Sequence, residues 1–125
     1  MCLIVYNKFP KIATKDIVCY KILKTEDGKL VSSVRHFPFK LNVRMRPKGI
    51  FKILAKMDNI LRELAVEEGY FHTYVYHDTA KSDAFGDNDK VYECIIPKGT
   101  LYFEGFYGFD SSYASKCLIV KKEKD

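Results

Sequence analysis

Residues 69–104 read GYFHTYVYHDTAKSDAFGDNDKVYECIIPKGTLYFE, and no other stretch constrains the fold as strongly. β-Branched and aromatic side chains crowd residues 73–76 and again residues 91–96, a composition that fits a pleated, half-buried surface. Pro97, Lys98 and Gly99 then turn the chain. Two strands joined by a short polar connection place this stretch at the centre of a sheet.

The rest of the chain supplies partners for those strands. Residues 2–6 suit an edge strand. The continuous apolar run IVCYKIL at 17–23 suits a buried one, and Glu26, Asp27 and Gly28 turn it back into a second strand at 30–35 as a hairpin. Leu41, Val43 and Met45 alternate with Asn42, Arg44 and Arg46, which predicts a third short strand with a basic outer face and an apolar side joining the core. Further strands are expected at 100–104 and 117–120, with GFYGFDSSYAS as a glycine and aromatic loop between them.

One segment breaks this pattern. Ile50, Ile53, Leu54, Met57, Ile60, Leu61 and Leu64 recur at spacings of three and four, which predicts an amphipathic helix of about four turns, ended by Gly69 in a left-handed conformation. The fold class expected is therefore α+β: one dominant amphipathic helix packed on a strongly curved, mostly antiparallel sheet of about six to seven strands. At 125 residues, 47% of them hydrophobic, the chain suits a single globular domain over residues 1–125.

Charge and cysteine usage narrow the function classes. Net charge is +5, and Lys40, Arg44, Arg46, Lys48, Lys52 and Lys56 fall within seventeen residues that contain no acid. Cys2, Cys19, Cys94 and Cys117 lack metal-ligand spacing, and those within apolar runs read as small buried hydrophobes. The only apolar run near the start is four residues long, too short for a signal-peptide core, and no run reaches membrane-span length; a cytoplasmic protein without a membrane partner is expected.

Four constellations bear on chemistry. Arg44, Arg46 and Lys48 arrive at the expected start of the helix, where free N–H groups and guanidinium forks suit a phosphate. In a strand His72, Tyr74 and Tyr76 share one face, an imidazole and two phenols able to stack on a ring and hydrogen-bond a ligand. His77 beside Asp78 resembles a fragment of a hydrolytic triad, but no serine sits in an elbow motif. Glu93 and Glu104 are candidates for paired carboxylates on neighbouring strands, and the glycine and aromatic loop suits either a core cap or a protein contact.

The opening MCL, PKIATKDIVCYK, EEGYFHTYV, IIPKGTLYFEG and YASKCLIV resemble a group of small proteins from gut bacteria and their phages. More distantly, a Tyr-Lys first strand, the segment HDTAKSDAF and a following VYECIIPKGT strand are similar to the mono-ADP-ribosyltransferase layout. That resemblance implies a split, curved sheet cradling a nicotinamide dinucleotide and a glutamate aimed at its ribose, Glu93 or Glu104. This sequence departs from the family around Cys19 and Tyr20, where a histidine or arginine is expected, and has no Ser-Thr-Ser.

The function expected is that of a small, phage-related, non-catalytic binding protein without a cofactor. It would hold a nucleotide-like anionic ligand or a host protein through Arg44, Arg46, Lys48, His72, Tyr74 and Tyr76. The alternative is a divergent mono-ADP-ribosyltransferase-like enzyme using NAD. Nucleic acid is a less favoured partner, and a homo-oligomer remains open because curved sheets leave edges.

Overall fold

The structure, a computed structural model, describes residues 3–5, 10–32, 37–47, 53–57, 62–66, 70–107 and 110–125. Among these residues thirteen strands and one short helix follow in order. They are β1 (Leu3–Val5), β2 (Lys11–Ile12), β3 (Ile17–Glu26), β4 (Lys29–Ser32), β5 (Pro38–Phe39), β6 (Arg44–Met45), β7 (Ile53–Met57), β8 (Arg62–Val66), β9 (Phe71–Tyr74), α1 (His77–Ser82), β10 (Asp89–Ile96), β11 (Leu101–Tyr107), β12 (Asp110–Ser115) and β13 (Leu118–Glu123). Ten of the strands form one path in the order β6-β13-β10-β3-β9-β12-β11-β1-β8-β7, with β2 against β11 and the pair β4-β5 beside β3. Every strand pairing is antiparallel; the isolated bridge of Leu41 to Val120 is parallel.

The run at 17–23 becomes β3, the longest strand, and it lies at a fork. One edge pairs with β10 along eight residues. The other edge is divided: Tyr20 pairs with Tyr74 of β9, while Leu23 to Glu26 pair with β4. The β3–β4 hairpin closes on Asp27 and Gly28 alone, since Glu26 faces Lys29. Both turn residues have positive φ, 51° and 73°, the geometry of a type I′ turn whose twist matches that of the strands.

The fork puts the core on one face. Cys19, Leu23, Phe71, Cys94, Ile96, Leu118 and Val120 project from β3, β9, β10 and β13, and Phe39 of β5 folds over them with Ala13. Phe37, Phe39 and Phe71 close a ring triangle with centroids 5.2 to 5.5 Å apart. The opposite face carries a smaller cluster, where Ala80 of α1 sits on Ile22 and Val91 beside Tyr20 and Tyr74.

Three expectations are corrected. The dominant helix is not formed: residues 53–57 and 62–66 are the antiparallel strands β7 and β8, with Ile53 facing Val66 and Met57 facing Arg62. Apolar residues that come in adjacent pairs, Ile53-Leu54 and Ile60-Leu61, satisfy a helical spacing without requiring it, and Asp58-Asn59 supply turn formers midway. What decides is non-local: β8 finds β7 on one edge and β1 on the other, so its backbone groups are satisfied on both sides. The helix end expected at Gly69 lies outside the described residues.

Second, the sheet is much larger than six or seven strands, partly because the segment read as a glycine and aromatic loop contains β12, paired along its whole length with β11. β1 is likewise internal, between β11 and β8. Third, the strand expected at 41–45 is interrupted by Asn42 at φ 58°, leaving Leu41 and Val43 almost half exposed and only Met45 against the core. Among the described residues no helix is long and apolar enough to cross a membrane.

Candidate functional site

Strand register assigns each candidate side chain to a face. On the outer face, that of α1, Arg44 is opposite Ile119, Ile119 opposite Ile95, and Ile95 opposite Val18, one row across four adjacent strands. The next row runs Glu93, Tyr20, Tyr74 and Ser112. His72 is on the same face, its ring 5.8 Å from that of Tyr74. Arg44 and the His72–Tyr74 pair thus share a face, but β13, β10 and β3 lie between them, about 19 Å at the usual strand spacing. One small ligand cannot touch both, and the single anion-and-ring pocket is corrected to two separate features.

The other expected residues divide similarly. Tyr76 lies beyond the end of β9, at the start of α1, and is 60% exposed. Arg46 is exposed just after β6, and Lys48 lies outside the described residues. With residues 53–57 extended, the helix expected to aim N–H groups at an anion beside Arg44 and Arg46 is replaced by β7.

Tyr74 and His72 are held rather than free to engage a ligand. The Tyr74 hydroxyl donates to Asp83 Oδ2 at 2.9 Å. Hydrogen bonding to the neighbouring Asp83 carboxyl, then desolvation and then repulsion from the Asp83 charge raise the Asp110 carboxyl above its ordinary range. The His72 Nε2 is buried, and desolvation, followed by the positive charge of Lys21, pushes the imidazole down to about 3, so it is neutral at physiological pH.

The catalytic fragments do not assemble. His77 Nε2 lies 3.0 Å from the Lys124 carbonyl and must donate to it, which leaves that nitrogen unable to take a proton from a nucleophile. Its contact with Asp78 is long, 3.7 Å. Glu93 faces outward opposite Tyr20, whereas Glu104 is on the inner face opposite Tyr113, with β3, β9 and β12 between their strands, so they are not the neighbouring pair expected. The buried thiols of Cys19 and Cys94 face each other across β3 and β10; desolvation raises both, Cys19 to about 12, and keeps them unreactive.

The inner face holds a polar cluster that sequence reasoning missed. Thr73, Tyr113 and Glu104 form one row across β9, β12 and β11; Phe71, Ser115, Tyr102 and Lys11 form the next, ending on β2. Lys11 Nζ donates to Glu104 Oε2 at 2.9 Å at a half-exposed rim, and the Tyr102 and Tyr113 rings meet edge to face at 5.8 Å. Desolvation, then the Glu104 charge, raises the Tyr113 phenol to about 12. Beneath them Ser115 is fully buried and its Oγ meets no hydrogen-bond partner; the Thr73 hydroxyl, beside the Cys19 thiol, also makes no bond of good geometry. Each such orphan costs about 1–3 kcal/mol. The alternation Tyr102, Glu104 and Tyr113, Ser115 is the signal in the sequence, but it has meaning only once 110–115 is a strand.

Among the described residues no group of three histidine, cysteine, aspartate or glutamate side chains is placed to hold a metal ion. Compared with known family models, with curated proteins and with solved structures, the chain finds no match.

Proposed function

We propose that this is a non-catalytic binding protein that docks a protein partner on the outer face of its sheet. The observation that carries the reading is the row Arg44, Ile119, Ile95 and Val18, in register across four strands. α1 covers only the other end of that face, around Ile22 and Val91, and leaves Val18 half exposed. Arg44 and Arg46 are exposed at one side of the row and Tyr76 lies beyond the other. An apolar centre with an arginine and tyrosine rim is the make-up of a protein contact. The charge of +5 favours an acidic segment with apolar side chains over a second copy of the same chain. Separation of Arg44 from His72 and Tyr74 weighs against a nucleotide-sized ligand on this face, and a phage-encoded protein that captures an acidic host protein in the cytoplasm is the biological form this reading takes.

The test is NMR titration with a synthetic peptide alternating glutamate and leucine, alongside ATP. Salt-sensitive shifts at Val18, Ile95, Ile119 and Arg44 with the peptide, lost in Val18→Asp, support the reading. Shifts with ATP alone, or turnover of labelled NAD, overturn it.

A further inference from the structure

We propose that the loop from α1 to β10 of one copy of this chain docks on the row Arg44, Ile119, Ile95 and Val18 of another copy and so competes with the partner of that row. The inference rests on the proposed function, which selects an acidic segment with apolar side chains for this face. Residues 83–89, DAFGDND, are such a segment, with three aspartates and no basic residue. Phe85 is 84% exposed, the most of any large apolar side chain among the described residues. A single exposed phenylalanine is ordinary; this one stands on a loop whose backbone is fixed on both sides of it. Ala84 packs against the cluster of Ile22, Ala80 and Val91. Gly86 N–H donates to Asp89 Oδ2 at 3.1 Å, and Asp89 N–H donates back to the Gly86 carbonyl at 3.1 Å. The ring is thus presented to a partner without the ordering cost of a loose loop.

Charge and reach select a second copy as the occupant. The net charge of +5 sets whole copies against each other, but the loop brings Asp83, Asp87 and Asp89 to a row whose end carries the exposed Arg44 and Arg46. Complementary patches decide which surfaces meet even where net charges repel. Within one chain the two halves do not engage each other, since Phe85 is 84% and Val18 50% exposed. Between copies the dimensions fit. Arg44 and Ile95 are two strands apart, about 10 Å. With Phe85 of the other copy over Ile95, Asp87 follows within about 7 Å along the chain, and an arginine side chain spans the remainder. Net repulsion keeps this contact weak, so a more acidic partner displaces the loop when it binds.

The experiment mixes two variants of the full chain in NMR. Phe85→Ser keeps the row and loses the ring of the loop, whereas Val18→Asp keeps the loop and spoils the row. Adding unlabelled Val18→Asp to isotope-labelled Phe85→Ser should shift the amides of Val18, Ile95, Ile119 and Arg44; adding unlabelled Phe85→Ser should not. The proposal is overturned if Val18→Asp gives no shift, or if Phe85→Ser gives the same one. The peptide alternating glutamate and leucine separates this result from the proposed function. Peptide binding to labelled Phe85→Ser without any response to Val18→Asp removes the docking of a second copy and leaves the partner reading standing. A response to Val18→Asp without peptide binding supports the docking and removes the partner reading. Where both bind, the peptide should bind Phe85→Ser more tightly than the parent at high protein concentration, because the competing loop is gone; equal affinity would overturn the competition.

Discussion

Lys21 Nζ donates to the backbone carbonyl of His72 at 2.7 Å, joining β3 to β9 at the point where the two strands share only the pair Tyr20 and Tyr74. Beyond Tyr20 the edge of β3 passes to β4, and β9 leaves the ladder. A carbonyl freed by such a divergence needs another donor. Lys21, on the core face between Cys19 and Leu23, provides it while its ammonium lies 5.9 Å from the centroid of the Phe39 ring. A charged residue inside an apolar strand run is thus explained by the fork.

Lys21→Met keeps the aliphatic stem and removes the donor. Because the bond is charge-assisted and only partly buried, a loss of about 1–2 kcal/mol is expected from urea denaturation. Removing the cation should also let the His72 imidazole titrate higher, since Lys21 is the second cause of its depression. An unchanged urea midpoint would show that the carbonyl is served by another group.

His72 sets an acid limit on stability. Its folded value of about 3 lies below the ordinary 6.5, so the unfolded chain binds a proton that the folded one excludes. Its contribution is therefore fully present above pH 6.5, falls as the pH drops below that value, and is lost by about pH 3. The limiting slope is about 1.4 kcal/mol per pH unit. His72→Gln should flatten the thermal midpoint between pH 6 and pH 4 (roughly the steepest part of that window), and a parent midpoint that is flat over the same range would contradict the assignment.

The two-residue turn at Asp27 and Gly28 is a place where sequence and structure agree through a known mechanism. Gly28 has φ 73°, and a Cβ built there meets nothing within 4 Å. Gly28→Ala therefore tests backbone strain alone and should cost about 1–2 kcal/mol, with Gly28→Asn recovering part of it. Equal midpoints for the three proteins would mean that the turn relaxes at no cost.

What was legible in the sequence was local. The β3–β4 hairpin, β10, the turn at Gly99 and the burial of Cys19 and Cys94 follow from residues close together in the chain. What was not legible depended on partners far away. Tyr113 and Ser115 share the inner face with Glu104 and Tyr102 only because β12 lies between β9 and β11, and Arg44 is separated from Tyr74 only because β13 and β10, from the chain's later half, are inserted beside β3. No periodicity in one segment encodes the order of strands in a sheet, and residues 53–57 and 62–66 can satisfy a helical spacing while their backbones pair as strands.

That last segment provides the sharpest test of the fold. In β7 and β8 Lys56 faces Glu63 across the ladder, so the doubly substituted chain carrying Lys56→Cys and Glu63→Cys should close a disulfide under mild oxidation, mapped by peptide mass. In a helix the same positions would be seven residues and about 10.5 Å apart, beyond disulfide reach. Ile53→Cys with Met57→Cys reverses the logic. One turn apart on a helix their Cβ atoms would lie about 5–6 Å apart, too far for a disulfide but within the span of an m-xylylene linker between the two thiols, which is the closure tested for this pair, whereas along the extended strand β7 they are about 13 Å apart. Closure of the first pair without the second is expected. Closure of the second without the first would restore the helix and remove β8 from its place beside β1.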